Sequence, residues 1–145
     1  ESMERLKGKK VLVTGGTGFV GSHLVEALTA LGARVVVPFR SLDSSSYFIT
    51  QNLDKKVVLA SGDLKDPQRV FDIVTKYEVE YIFHLAAQAI VTTAYHNPAE
   101  TIATDIVGTA NVLEAARRYP GIGGIIVASS DKAYGKSAIL ANMGL

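Results

Sequence analysis

The chain has 145 residues, the length of one domain and enough to bury a core. Its 48% hydrophobic and 20% charged composition is that of a soluble globular chain, and a formal charge of +1 gives no electrostatic case for nucleic acid or an anionic membrane. The absence of cysteine excludes disulfides and thiolate metal sites and fits a reducing compartment.

Residues 1–10 are charged and lack the apolar stretch of a signal peptide, and no apolar run approaches the length of a membrane span. A cytoplasmic location is the expectation. Val11-Leu12-Val13 opens a series of short continuous apolar runs, followed by Val35-Val36-Val37, Val57-Val58-Leu59, Tyr81-Ile82-Phe83 and Ile125-Ile126-Val127. Continuous runs of this kind are expected of strands covered on both faces of a parallel sheet. Helical patterns separate them. Val20, Leu24, Leu28 and Leu31 fall on one stripe, and a weaker helix is expected over Ser45 to Leu53. Val70, Ile73 and Val74 form the next stripe, behind Asp66 as cap and Pro67 at the first helical position. The longest helix is expected over Pro98 to Arg118, with Ile102, Ile106, Val112, Leu113 and Ala116 inward. Alternating strands and helices with right-handed crossovers predict an open doubly wound α/β fold. No repeat, low-complexity tract or linker divides residues 1–145, which are read as one domain.

Lys10-Val11-Leu12-Val13-Thr14 runs into Gly15-Gly16-Thr17-Gly18-Phe19-Val20-Gly21, and an amphipathic helix follows at once. Gly15 permits a tight turn off the strand, Gly18 lets backbone approach a diphosphate, and Gly21 lets helix and strand pack closely. The amides at the helix start offer donors and partial positive charge to phosphate, so Gly15, Gly18, Phe19, Val20 and Gly21 are expected to hold a dinucleotide. This is the Rossmann arrangement: a three-layer αβα fold with strand order 3-2-1-4-5.

An NAD site of the usual form has a carboxylate at the end of the second strand. Here that position is Phe39, followed by Arg40 and Ser41. The planar fork of Arg40 suits a 2′-phosphate, which inclines the cofactor from NAD toward NADP. The alternative is that Arg40 is a solvated residue opening a loop.

Three further blocks carry a resemblance. They are Gly62-Asp63-Leu64 after the third strand, His84-Leu85-Ala86-Ala87-Gln88 after the fourth and Ser129-Ser130-Asp131-Lys132-Ala133-Tyr134-Gly135 after the fifth. The stretch from Asn97-Pro98-Ala99-Glu100 through Gly108-Thr109-Ala110-Asn111-Val112-Leu113-Glu114-Ala115 is similar as well. Together with the glycine turn, these blocks resemble the extended short-chain dehydrogenase/reductases, specifically their nucleotide-sugar epimerases and dehydratases. The resemblance implies that Asp63 and Leu64 meet the adenine and that Leu85, Ala86 and Ala87 let the cofactor lie close to the backbone. The Asp-Lys pair and Ala86-Ala87-Gln88 are most similar to CDP-glucose 4,6-dehydratases. A 4,6-dehydratase is therefore the first expectation and a 4-epimerase the second, each acting on a nucleotide sugar.

By that resemblance, a hydride leaves sugar C4, the resulting ketone acidifies the C5 proton, water departs from C6 and the hydride returns there. The resemblance gives Ser130 a hydrogen bond to the C4 oxygen and makes Asp131 the acid for the departing hydroxyl. Lys132, standing where dTDP-glucose dehydratases have glutamate, would hold a water, stabilise an enolate or act as base. On composition alone, Ser130, Asp131 and Lys132 read first as ordinary loop residues after a buried strand, with a helix cap the alternative for Asp131, and only the surrounding matches reverse that. Tyr134 is assigned to packing. His23, His84 and His96 lack metal-ligand spacing, and His84 is read as a satisfied, partly buried residue.

Two departures stand out. No tyrosine is followed four residues later by lysine, so the superfamily's Tyr-x-x-x-Lys base pair is missing, and Asp105 replaces the usual asparagine. Residues 1–145 contain no substrate domain. The chain is thus expected to be the cofactor half of a longer enzyme or to assemble as a homo-oligomer that covers its apolar edge. A non-catalytic NAD(P)-binding module and an inactive truncated product are the alternatives.

Overall fold

A computed structural model describes residues 4–85 and 98–128. Five strands form one sheet: β1 (Lys10–Thr14), β2 (Arg34–Phe39), β3 (Val58–Ser61), β4 (Tyr81–His84) and β5 (Gly124–Val127). Their order is β3-β2-β1-β4-β5, and every adjacent pair is parallel. The helices are α1 (Phe19–Ala30), α2 (Tyr47–Thr50), α3 (Pro67–Lys76) and α4 (Pro98–Arg118), with short 3-10 turns at Glu4–Leu6 and Leu53–Lys55. The expected doubly wound fold and strand order are therefore present.

The layers follow from strand alternation. Val11, Val13, Val35, Val37 and Phe83 point to one face and pack with Leu24, Val25 and Leu28 of α1 and Phe48 of α2. Leu12, Val36 and Ile82 point to the other and meet Val70, Ile73 and Val74 of α3 and Val112 and Ala115 of α4. Successive strand side chains face opposite ways, so covering both faces demands an unbroken apolar run. That demand is met in β1, β2 and β4. It fails at the sheet's margins: Val58 of β3 is 43% exposed, and β5 is only half-buried. An outermost strand lies under less of the helical cover.

Local chemistry sets the helix ends. Asp66 accepts hydrogen bonds from the amides of Gln68 and Arg69, and Pro67, which has no N–H to satisfy, begins α3. Ser46 caps α2, which occupies the middle of the weak helical stretch 45–53. The inward face expected for α4 requires correction. Ile106 is 63% exposed and Leu113 is 45% exposed, whereas Gly108, Val112 and Ala115 are buried. Ala116 packs against the same cluster, so Val112 and Ala116 face inward as expected while Ile106 and Leu113 do not. The side chain of Ile102 lies outside the described residues.

Candidate cofactor site

All five strands end at the same edge of the sheet, and the order reverses between β1 and β4. In a parallel α/β sheet that reversal opens a crevice beyond the strand ends. Thr14 pairs in register with His84, and His84 with Val127, so the segments following β1, β4 and β5 leave side by side.

The glycine turn lies at this crevice. Gly15 has φ +70°, a left-handed conformation that a side chain would strain. Gly18 is the N-cap of α1; it donates its amide to Gly15 O at 3.1 Å and has no side chain with which to cap the helix. The first turn of α1 contains no acidic residue, and Ser22 turns its hydroxyl back onto Gly18 O at 2.6 Å and Gly16 O at 3.2 Å. The helix start thus keeps its positive end clear of competing carboxylates, the condition a bound diphosphate needs. Gly21 fixes how near the elements come: a Cβ there would fall 1.9 Å from Gly15 O. Phe19 begins α1 as an exposed ring, with Val20 partly buried behind it.

An aromatic cluster joins α1 to α2. The Phe19 and His23 rings meet edge-on with centroids 4.8 Å apart, and His23 lies 4.3 Å from the Tyr47 ring. The Tyr47 hydroxyl donates to the Glu26 carboxylate, 3.1 and 3.2 Å from its two oxygens. Burial, and then Glu26, raises the phenol pKa above its ordinary value. The cluster anchors the far end of the loop that begins at Arg40.

Arg40 directly follows β2, and its Nε lies 3.7 Å from Asp63 Oδ2, just beyond β3. The structure therefore brings together two residues singled out separately in the sequence. Asp63 also pairs with Lys65 Nζ at 3.9 Å and accepts the Lys65 amide at 2.9 Å. Arg40 is largely exposed, so its guanidinium remains available to solvent or ligand. Leu64 is partly buried, and its carbonyl accepts a 2.8 Å hydrogen bond from Asn111 of α4.

Beyond β4, Leu85 is buried, and its amide donates to both Thr14 O at 3.1 Å and Thr14 Oγ1 at 3.0 Å. His84 Nδ1 lies 2.6 Å from Thr14 Oγ1, and its Nε2 lies 2.8 Å from Thr109 Oγ1. Burial lowers the imidazole pKa below its ordinary value. His84 is thus a satisfied core residue, as expected. Thr14, Thr109 and Asn111 were not foreseen as parts of the site. Their signal was a polar residue closing an apolar strand and polar residues within a helix that must bury one face. Ala86, Ala87, Ser130, Asp131, Lys132, Tyr134 and His96 lie outside the described residues. Among the described residues, no group of acidic or histidine side chains could hold a metal, and no helix is long and apolar enough to cross a membrane.

Comparison with known proteins agrees with this geometry. Residues 12–141 match the sequence model of the family described as GDP-mannose 4,6 dehydratase. The CDP-glucose 4,6-dehydratase of Salmonella typhimurium is 35% identical over 131 residues, covering 88% of this chain and 36% of that protein. The crystal structure of UDP-glucose 4-epimerase from Thermotoga maritima with UDP-glucose superposes with a TM-score of 0.69 at 35% identity, over 81% of this chain and 37% of the other. That of the Thermus thermophilus UDP-glucose 4-epimerase in complex with NAD gives 0.67 at 34% identity, over 80% of this chain and 36% of the other. The chain spans little more than a third of the length of these relatives.

Proposed function

The chain belongs to the GDP-mannose 4,6 dehydratase family, within the extended short-chain dehydrogenase/reductases, and from that premise we propose that it is the cofactor-binding portion of an NAD(P)-dependent nucleotide-sugar 4,6-dehydratase or epimerase. The observation that carries the proposal is the helix start at Gly18, free of side-chain cap and acid, facing the crevice between β1 and β4. Residues 1–145 then act as one dinucleotide-binding domain. The turn from Gly15 to Gly21 holds the diphosphate, and Asp63 and Leu64 border the adenine. Leu85, Ala86 and Ala87 bring backbone against the nicotinamide half, as inferred from the family resemblance.

NADP is the proposed cofactor. Supporting this, Arg40 stands at the end of β2 where no carboxylate is available, with Asp63 engaging only one side of its guanidinium. The cofactor, when bound, supplies reversible hydride acceptance from the sugar. The remaining roles belong to side chains. Ser130 hydrogen-bonds the sugar C4 oxygen, Asp131 protonates the departing C6 hydroxyl, and Lys132 holds a water or stabilises the enolate. Their block begins just past β5, whose last residue Val127 is in register with His84 at the crevice edge. A homo-oligomer is also proposed, supported by the exposed apolar residues Ile106, Val107 and Leu113 on α4 and Val127 on β5.

Fluorescence titration with NADPH and NADH tests the reading. Saturable binding of both is expected, with NADPH tighter. Tighter NADH binding removes the role given to Arg40, and no binding of either overturns the proposal.

A further inference from the structure

Among the described residues, His84 is the only ionisable side chain fully enclosed in the core, 2% exposed at the end of β4. Its two nitrogens reach opposite ways, Nδ1 to Thr14 Oγ1 on β1 and Nε2 to Thr109 Oγ1 on α4. A neutral ring, with one nitrogen accepting and the other donating, satisfies both contacts. The Thr14 oxygen already receives the Leu85 amide, so its own hydrogen is free to be donated, and Nδ1 is placed to accept it. The ring's single hydrogen then sits on Nε2 and is donated to Thr109.

The two threonines tied by this ring, and Leu85 beside it in the chain, adjoin the crevice or brace it. Thr14 is followed directly by Gly15, the first residue of the glycine turn, and Leu85 by Ala86. Thr109 lies two residues from Asn111, which holds the carbonyl of Leu64. One imidazole thus joins both strands flanking the sheet reversal and α4, which also braces the loop after β3. Resting on the cofactor role proposed above, we propose that His84 is a positioning residue for the dinucleotide: uncharged, it sets the spacing of the β1 and β4 ends on which the diphosphate turn is mounted.

A second proton on the ring would undo the arrangement. Nδ1 could no longer accept, and the Thr14 oxygen would face two N–H donors while its own hydrogen lost its acceptor. The groups that contact the ring nitrogens among the described residues are uncharged: the Thr14 hydroxyl from β1 and the Thr109 hydroxyl from α4. Asp105 precedes Thr109 by one turn of α4, with its side chain outside the described residues. Cofactor affinity therefore falls in acid through His84.

Calorimetric titration of the full chain with NAD and NADP from pH 8 to pH 4.5, with circular dichroism at each pH to confirm folding, tests this. Wild type is expected to lose at least about three-fold more affinity over that range than His84→Gln, since a group that excludes binding when protonated weakens it up to ten-fold per pH unit below its midpoint. Any titration of the 2′-phosphate or of surface carboxylates is common to both proteins and cancels in the comparison. Thr109→Val, which leaves the ring in place and removes the Nε2 acceptor, is expected to weaken binding about five-fold or more at pH 8, with Thr109→Ser restoring it. Binding at pH 8 with parallel pH profiles for wild type and His84→Gln, or equal affinities for Thr109→Val and wild type, overturns the role of His84 alone. Absence of binding by wild type at every pH overturns it together with the cofactor reading.

Discussion

Gly21 determines how closely α1 approaches the turn that precedes it, because the position a β-carbon would take is already filled by the Gly15 carbonyl. Gly21→Ala must push the helix away from the strand. We expect it to lower unfolding free energy by at least about 2 kcal/mol, read by urea denaturation, and to reduce dinucleotide affinity more than ten-fold. Arg40→Ala should act differently. The side chain is largely exposed and its pairing with Asp63 is long, so stability should change by less than about 0.5 kcal/mol. Loss of a charged phosphate contact, worth about 1.5–3 kcal/mol, should weaken NADPH at least ten-fold and leave NADH nearly unaffected, as a paired titration would reveal. The glycine turn was legible from sequence because its spacing encodes backbone geometry directly. Thr14, Thr109 and Asn111 were not, because their importance arises from pairing across the fold: Thr14 and His84 are 70 residues apart.

At the level of elements, legibility tracked how strongly one local signal dominated. Asp66 and Pro67 mark the start of α3 without ambiguity, and its buried stripe of Val70, Ile73 and Val74 is the one expected. Asp66→Ala should cost about 1 kcal/mol in denaturant unfolding, since two amides lose their shared acceptor. α4 was harder to read. Apolar residues lie on more than one side of it, and the face that packs is chosen by small residues that permit close approach. Gly108 is an example: it is buried, and the position of a Cβ there lies 3.4 Å from the Leu64 Cβ, an ordinary contact with the loop beyond β3. A periodicity that weights large apolar residues therefore places Val112 and Ala116 inward, where they pack, but also Ile106 and Leu113, which are exposed. The same limitation applies to β3 and β5, whose apolar runs resemble those of β1 although they lie at the margins of the sheet.

For the whole molecule, the sequence of alternating elements was enough to give strand order, because right-handed crossovers leave few ways to cover both faces. The pH dependence of stability, by contrast, depends on what burial does to individual groups. Burial lowers the folded pKa of His84 below its ordinary 6.5, so the unfolded chain takes up its proton first. The His84 contribution is complete above pH 6.5 and is lost as pH falls toward the lower folded value. At the alkaline end, Tyr47 has its pKa raised above 10.0; its contribution is complete below pH 10 and disappears as pH rises through the folded value. Denaturant midpoints measured across pH should show both shoulders, with the first absent from His84→Gln and the second from Tyr47→Phe. An unchanged acid shoulder in His84→Gln would assign it to other groups.

The central place of β1 has a consequence for synthesis. Its partner β2 emerges soon after it, and β3 follows, so three of the five strands can pair while the rest of the chain is still on the ribosome. The other edge of β1 waits for Tyr81–His84, and until those residues leave the exit tunnel, Val11, Leu12 and Val13 border an open row of amides and carbonyls. That interval is when the nascent chain is most exposed to capture by a foreign strand or a chaperone.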